Sequence, residues 1–117
     1  MRLAQGEDGL LIWITVDARS ENLSALPAAV ELAAYHITLE AITNVVRHAR
    51  ATTCEVTLRR GPDLHVEIRD NGRGITATAV GIGLHSMRER CEQLGGRLDL
   101  ARADGVGTIV TAWLPIQ

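Results

Sequence analysis

Glu40, Asn44 and His48 stand four residues apart. On a helix each would lie only about 40° around the axis from the next, with Arg47 on the same side. A carboxylate and an amide oxygen one turn apart suit hydrated Mg²⁺, which takes oxygen ligands and keeps several waters. Arg47 would add positive charge for phosphate oxygens. The same spacing describes a solvated helix edge, or a transition-metal stripe of His36, Glu40 and His48, for which Asn44 would be a poor ligand.

Three glycine-bearing segments carry further potential chemistry. Asp70-Asn71-Gly72-Arg73-Gly74 follows an alternating segment. A carboxylate at a strand end can accept a hydrogen bond from an exocyclic amine, and glycines let backbone approach a planar ring. The same residues also make plain turns. Gly81-Ile82-Gly83-Leu84 reads as a turn opening a helix, whose first N–H groups and dipole attract phosphate. Gly105-Val106-Gly107-Thr108 reads as a hairpin turn before a last strand. Each of these is weak by itself.

These residues need elements to hold them. Leu10–Val16 reads as a strand, followed by the turn-like Ser20-Glu21-Asn22. Pro27 opens a helix expected to run to about Arg47, with Val30, Ala34, Ile37, Ala41, Val45 and Ala49 along one apolar stripe. The polar group borders that stripe, where a cleft between helix and sheet would open. Cys54, Val56 and Leu58 alternate with Glu55, Thr57 and Arg59. After Gly61-Pro62-Asp63, the residues Leu64, Val66 and Ile68 alternate with His65, Glu67 and Arg69. Such alternation marks a sheet with one packed face and one wetter face, built largely from antiparallel pairs. Leu84, Met87, Cys91 and Leu94 define a second helix ended by Gly95-Gly96, and strands follow at about Arg97–Arg102 and Thr108–Leu114. The expected architecture is a two-layer α+β sandwich, with helices on one face of a mixed, mainly antiparallel sheet.

Composition narrows the field. The chain has 117 residues, 46% of them hydrophobic, a length expected to form one domain with a core of its own. All 12 basic residues are arginine against 14 acidic ones, for a formal charge of −2. With no lysine, a P-loop lysine and a Schiff-base lysine are excluded. Near-neutral charge and 3% aromatic residues argue against direct nucleic-acid binding. No apolar run is long enough to cross a membrane, and no signal-peptide pattern opens the chain. Cys54 and Cys91 sit at apolar positions and are expected to be reduced core thiols.

In order and spacing, the four segments together resemble the ATP-binding domain of sensor histidine kinases, within the superfamily that includes DNA gyrase B and MutL. The resemblance runs from about Leu10 to Pro115 and implies the Bergerat form of the sandwich. Glu40-Ala41-Ile42-Thr43-Asn44-Val45-Val46-Arg47-His48-Ala49 and Gly83-Leu84-His85-Ser86-Met87-Arg88-Glu89-Arg90 resemble the nitrate-sensor-like branch, whose response regulators carry a helix-turn-helix output.

The resemblance implies roles for particular residues. Asn44, with Glu40, would hold Mg²⁺ against ATP. Glu40 matches the general base of the ATPase relatives, and in a kinase would orient metal-bound water or the acceptor imidazole. Asn44, Arg47, His48, Asp70, Gly72, Gly74, Gly81, Gly83, Leu84 and Thr108 would contact the nucleotide, with Asp70 accepting from the adenine amino group. The implied reaction is transfer of the γ-phosphoryl group to a histidine. That histidine would belong to a separate phosphoacceptor and dimerisation helix pair of the same kinase, which signals onward to a response regulator. The chain would then be a single ATP-binding catalytic domain over residues 1–117, with little autokinase activity alone. It would be cytoplasmic, or the cytoplasmic part of a membrane-anchored kinase. Ile75–Val80 would form a short lid, His36 would not be the phosphorylated residue, and His65 and His85 would face solvent. An anti-sigma-factor serine kinase of the same superfamily and a non-catalytic nucleotide-sensing module are the alternatives.

Overall fold

Strand alternation and helical periodicity sort the chain into six strands and two long helices among the residues that the computed structural model describes, 2–5, 11–16, 26–72, 77–102 and 107–116. In chain order these are β1 (Arg2–Gln5), β2 (Leu11–Val16), α1 (Ala28–Asn44), β3 (Thr53–Arg60), β4 (Asp63–Asp70), α2 (Ala77–Gln93), β5 (Arg97–Arg102) and β6 (Thr108–Pro115). The sheet order is β1-β2-β3-β4-β6-β5. Only β2 and β3 pair in parallel, with α1 as their crossover, and every other neighbouring pair is antiparallel.

Both helices pack on one face of the sheet. Val30, Ile37, Ala41 and Val45 of the expected stripe are buried against Val56, Leu64, Val66 and Ile68 of β3 and β4 and Ala112 and Leu114 of β6, with Ala34 half-buried. Met87 and Cys91 bring α2 into the same core, where Cys54 and Cys91 are both buried and free. The expected α+β sandwich is therefore observed, with β1 added at one margin.

Three boundaries differ from expectation. Pro27 caps α1 instead of occupying its first turn; with φ −54° and ψ 142° it is extended, and its carbonyl accepts the Glu31 N–H at 3.0 Å. At the other end, the α-helix stops at Asn44 and widens into a π-helical turn, Val45–Ala49, which Arg50 ends in the left-handed region at φ 52° and ψ 39°. The Thr43 hydroxyl donates to the Leu39 carbonyl at 2.8 Å, and the β-branched pair Val45-Val46 follows, so the pitch changes where two local features disfavour a regular α turn. The third difference is α2, which begins at Ala77 and so runs through Gly81 and Gly83. Ala77 and Ala79 are strong helix formers and carry the helix past the weaker glycines.

The C-terminus of α2 has a simpler cause. Gly95 takes φ 79°, its N–H reaches the Glu92 carbonyl at 2.9 Å, and the Gly96 N–H reaches the Cys91 carbonyl at 2.8 Å, a Schellman arrangement.

On the sheet face away from the helices, Arg97, Trp113, His65 and Arg59 follow one another across β5, β6, β4 and β3. The Arg97 guanidinium lies 4.1 Å from the Trp113 ring centroid. His65 is a correction: it is half-buried, its ring 5.6 Å from that of Trp113, and its Nδ1 is buried with no hydrogen-bond partner. Alternation predicts the side of the sheet; it does not predict that a cross-strand tryptophan covers the residue. His85 is exposed as expected, with Nε2 3.8 Å from Glu89 Oε2.

Candidate functional site

Asn44, Asp70 and Thr108 are the buried polar or charged residues among those described, at 8%, 3% and 3% exposure. All three line one narrow pocket between α1, α2 and the sheet. Its other walls are Ala41, Val45, Ile68, Leu84, Met87, Leu100 and Val110. Burying polar groups is costly unless something satisfies them, so their convergence in an apolar slot makes it the candidate site.

Asp70 closes β4 directly opposite Cys54 of β3 and Thr108 of β6. Its Oδ1 accepts the Gly72 N–H at 2.8 Å, and the Thr108 backbone N–H donates to the same carboxyl group. Burial raises the carboxyl pKa above the ordinary value, and these two N–H groups pull it back only in part. Gly107, at φ 100°, allows the start of β6 to press against the Asp70 carbonyl, where any Cβ would collide.

The neighbouring Asn71 holds this corner together. Its Oδ1 accepts the N–H groups of Thr52 and Thr53, each at 2.9 Å, and its Nδ2 donates to Thr52 Oγ1 at 2.8 Å. The end of β4 is thus tied to the start of β3, just after the π turn. Sequence reading assigned Asn71 no role of its own, because its partners are 18 and 19 residues away.

The remaining candidates fall into three groups. Leu84 lines the pocket, and Gly72 is buried beside Asp70. Glu40 is half-buried and its carboxylate lies against Gly83, leaving no space there for a side chain. Arg47 is exposed on the π turn. The expectation that Gly81 and Gly83 precede a helix and present its N-terminus to phosphate is corrected: both lie inside α2, where backbone N–H groups are committed to the helix. Gly83 instead permits close approach of α2 to Glu40. The expected lid is also partly helical, since residues 77–80 belong to α2. Gly74 and residues 75–76 lie outside the described residues, as do the side chains of His48 and Gly81.

Among the described residues no cluster of three or more His, Cys, Asp or Glu side chains could hold a metal ion. On the α1 side, the donor set is the Asn44 amide and the nearby Glu40 carboxylate, with Asp70 and Thr108 at the strand ends. That set suits a hard cation whose other ligands are water and ligand oxygens, as Mg²⁺ prefers when bound with phosphates. The space between the described walls of the pocket admits about one water molecule.

The family described as "Histidine kinase-, DNA gyrase B-, and HSP90-like ATPase" matches residues 29–117. The chain is 39% identical over 103 residues to the nitrate/nitrite sensor protein NarQ of Escherichia coli (strain K12), covering 84% of this chain and 18% of that protein. It is 33% identical over 97 residues to the sensor histidine kinase LiaS of Bacillus subtilis (strain 168), covering 80% and 27%. The chain therefore spans less than a third of the length of these relatives. In fold it is similar to the histidine kinase domain of the Erythrobacter litoralis EL346 blue-light activated histidine kinase, with TM-score 0.69, 24% identity and coverage of 92% of this chain and 52% of that one. It is also similar to the ATP binding domain of PrrB from Mycobacterium tuberculosis, with TM-score 0.61, 20% identity and coverage of 91% and 81%.

Proposed function

The chain belongs to the histidine kinase-, DNA gyrase B- and HSP90-like ATPase family, and from that premise we propose that it binds Mg-ATP and donates the γ-phosphoryl group to a histidine of a phosphoacceptor helix pair in two-component signalling. The observation that carries this reading is the joint burial of Asn44, Asp70 and Thr108 in one slot between α1 and the sheet. An amide near phosphate depth and a carboxylate at a strand end are the two polar functions that a metal-bridged adenine nucleotide requires.

In this reading Asp70 accepts the adenine amino hydrogen, with Gly72 keeping its carboxylate oriented and Thr108 bordering the base. Asn44, aided by Glu40, would hold Mg²⁺, which would supply neutralising charge for the phosphates. Arg47 on the π turn supplies the positive charge that lysine provides elsewhere. Glu40 orients the acceptor imidazole for attack in line with the leaving group. The new N–P bond forms as the bond between the γ-phosphorus and the β–γ bridging oxygen breaks, and ADP leaves. Positioning and charge neutralisation carry the catalysis, so the residues need no covalent role. The full signalling partner is then a response regulator, reached through the phosphorylated helices.

Calorimetry with ATP in the presence and absence of Mg²⁺, followed by addition of the phosphoacceptor helix pair of the same natural polypeptide, tests the reading. Magnesium-dependent binding and acid-labile phosphohistidine are expected. Acid-stable phosphoserine on a sigma-factor antagonist, or nucleotide binding without any transfer, would replace it with one of the two alternative activities.

A further inference from the structure

A second cavity lies at the opposite end of the sheet from the slot. It holds about 300 Å³ and is lined by Asp63, Gly95, Gly96, Arg97, Trp113 and Pro115. That volume falls at the small end of the range for small-molecule pockets. Asp63 begins β4 and Asp70 ends it, so the length of that strand, roughly 24 Å, separates the two sites. The walls are fixed by the sheet itself. Asp63 pairs with Pro115, and Arg97 with Trp113. The Trp113 ring is flanked by the Arg97 guanidinium, 4.1 Å from its centroid, and by the His65 ring at 5.6 Å. Gly96 lies so close to the Trp113 carbonyl that any Cβ would collide, and Gly95 takes φ 79°. The turn after α2 therefore closes against β6 as a bare backbone wall.

We propose that this cavity binds a free α-amino acid with an uncharged side chain, at a site separate from the nucleotide slot. Two charges of opposite sign select that ligand. Strand spacing sets the Cα atoms of Arg97 and Asp63 about 12 Å apart, one on either side of β6. The Arg97 side chain lies over Trp113, toward β6, which shortens the gap between guanidinium and carboxylate. A guanidinium presents paired N–H donors that match a carboxylate, and an aspartate carboxylate accepts from an ammonium. An α-amino acid carries both of those groups on one carbon. A phosphate dianion would be repelled by Asp63 and a simple cation by Arg97, so neither suits the pair as a zwitterion does. Trp113 and Pro115 are half-buried and leave apolar surface for the ligand's side chain. Asp63 and Arg97 are exposed, so each contact is weaker than a buried ion pair and the affinity is millimolar.

Magnetic resonance of the indole N–H of Trp113, told apart from that of Trp13 by a Trp13→Phe variant, reads occupancy directly. L-Leucine and L-phenylalanine are the aliphatic and aromatic probes, and at least one is expected to shift the signal saturably with a Kd of about 1–10 mM. The N-acetyl form of that amino acid lacks the ammonium and its amide lacks the carboxylate. Each should bind about fivefold more weakly or worse, and Arg97→Gln and Asp63→Asn should each weaken the parent amino acid by as much. The two analogues need no substitution, so a variant that fails to fold leaves the test intact. No saturable shift with either probe up to about 50 mM would overturn the proposal. So would an N-acetyl or amide form that binds within twofold of the parent, or a folded variant whose affinity stays within twofold. The titration contains no nucleotide, so its outcome does not depend on the phosphotransfer reading.

Discussion

Asp70 is a buried carboxylate whose proposed task of binding opposes stability. Burial lifts its pKa and the Gly72 and Thr108 N–H groups do not fully offset the shift, so the folded carboxyl holds its proton to higher pH than the unfolded one. Stability linked to that proton is present below the ordinary aspartate pKa and is lost as pH rises through the raised value. Asp70→Asn keeps the volume and an Oδ1 acceptor for Gly72 while removing the charge. Its melting temperature near neutrality should match or exceed that of the parent chain, and its acid-side pH profile should flatten. ATP affinity should fall roughly 10–100-fold, about 1–3 kcal/mol, as one acceptor is replaced by a donor. Scanning calorimetry across pH and titration calorimetry at pH 7 check both halves. The thiols give a second outcome. Burial, aided by the negative charge of Asp70, pushes Cys54 up to about 12, and burial with Glu92 pushes Cys91 up to about 11. Because the thiolate is the reactive form, neither should be alkylated at pH 8 in the native protein, and both should react on unfolding, as counted by mass spectrometry. At this scale Asn44 was legible from its four-residue spacing to Glu40 beside the apolar stripe and Asp70 from the strand-end motif that carries it, whereas Thr108 entered only through the family resemblance. The contact of Gly83 with Glu40 was not legible, since it depends on how two helices cross.

The elements were legible where period alone decides them. The alternation along β3 and β4 and the apolar stripe of α1 required no knowledge of neighbours. β1 was not, because Arg2-Leu3-Ala4-Gln5 has one large apolar residue and no pattern. The π turn escaped because it preserves helical periodicity to within one residue, and the early start of α2 escaped because Gly81 and Gly83 look like punctuation. Asn71 acts at this scale, as the tie between β4 and β3. Asn71→Ala removes two accepted hydrogen bonds and one donated one at an exposed corner. A loss of about 1–2 kcal/mol is expected in urea unfolding, with a weaker nucleotide affinity because Asp70 is no longer held at the strand end. Asn71→Asp keeps the acceptor for both N–H groups and should recover part of the loss. An unchanged unfolding midpoint for Asn71→Ala would remove the tie.

For the molecule as a whole, ligand binding in the slot reads out as stability. Ligand that binds only the folded chain adds about 2.7 kcal/mol at 100 times its Kd. For a domain of this size that is on the order of 10 °C in Tm, readable by thermal-shift fluorimetry. Magnesium without nucleotide should give little rise, because no group of three or more His, Cys, Asp or Glu side chains among the described residues could hold it. An equal rise with magnesium alone would place the ion elsewhere. What the sequence could not disclose at this scale is neighbour order: nothing in the alternation says that β6 inserts between β4 and β5, yet that insertion is what sets Thr108 against Asp70. The same order has a practical consequence at the margin. Among the described residues no strand pairs beyond β5, whose Arg97, Asp99 and Arg102 make half of its length charged. Rows of open backbone donors and acceptors invite fibril growth, and ionic side chains along such a border are a deterrent. Stripping those three charges would leave the interior untouched and turn this margin of the sheet into a template for aggregation.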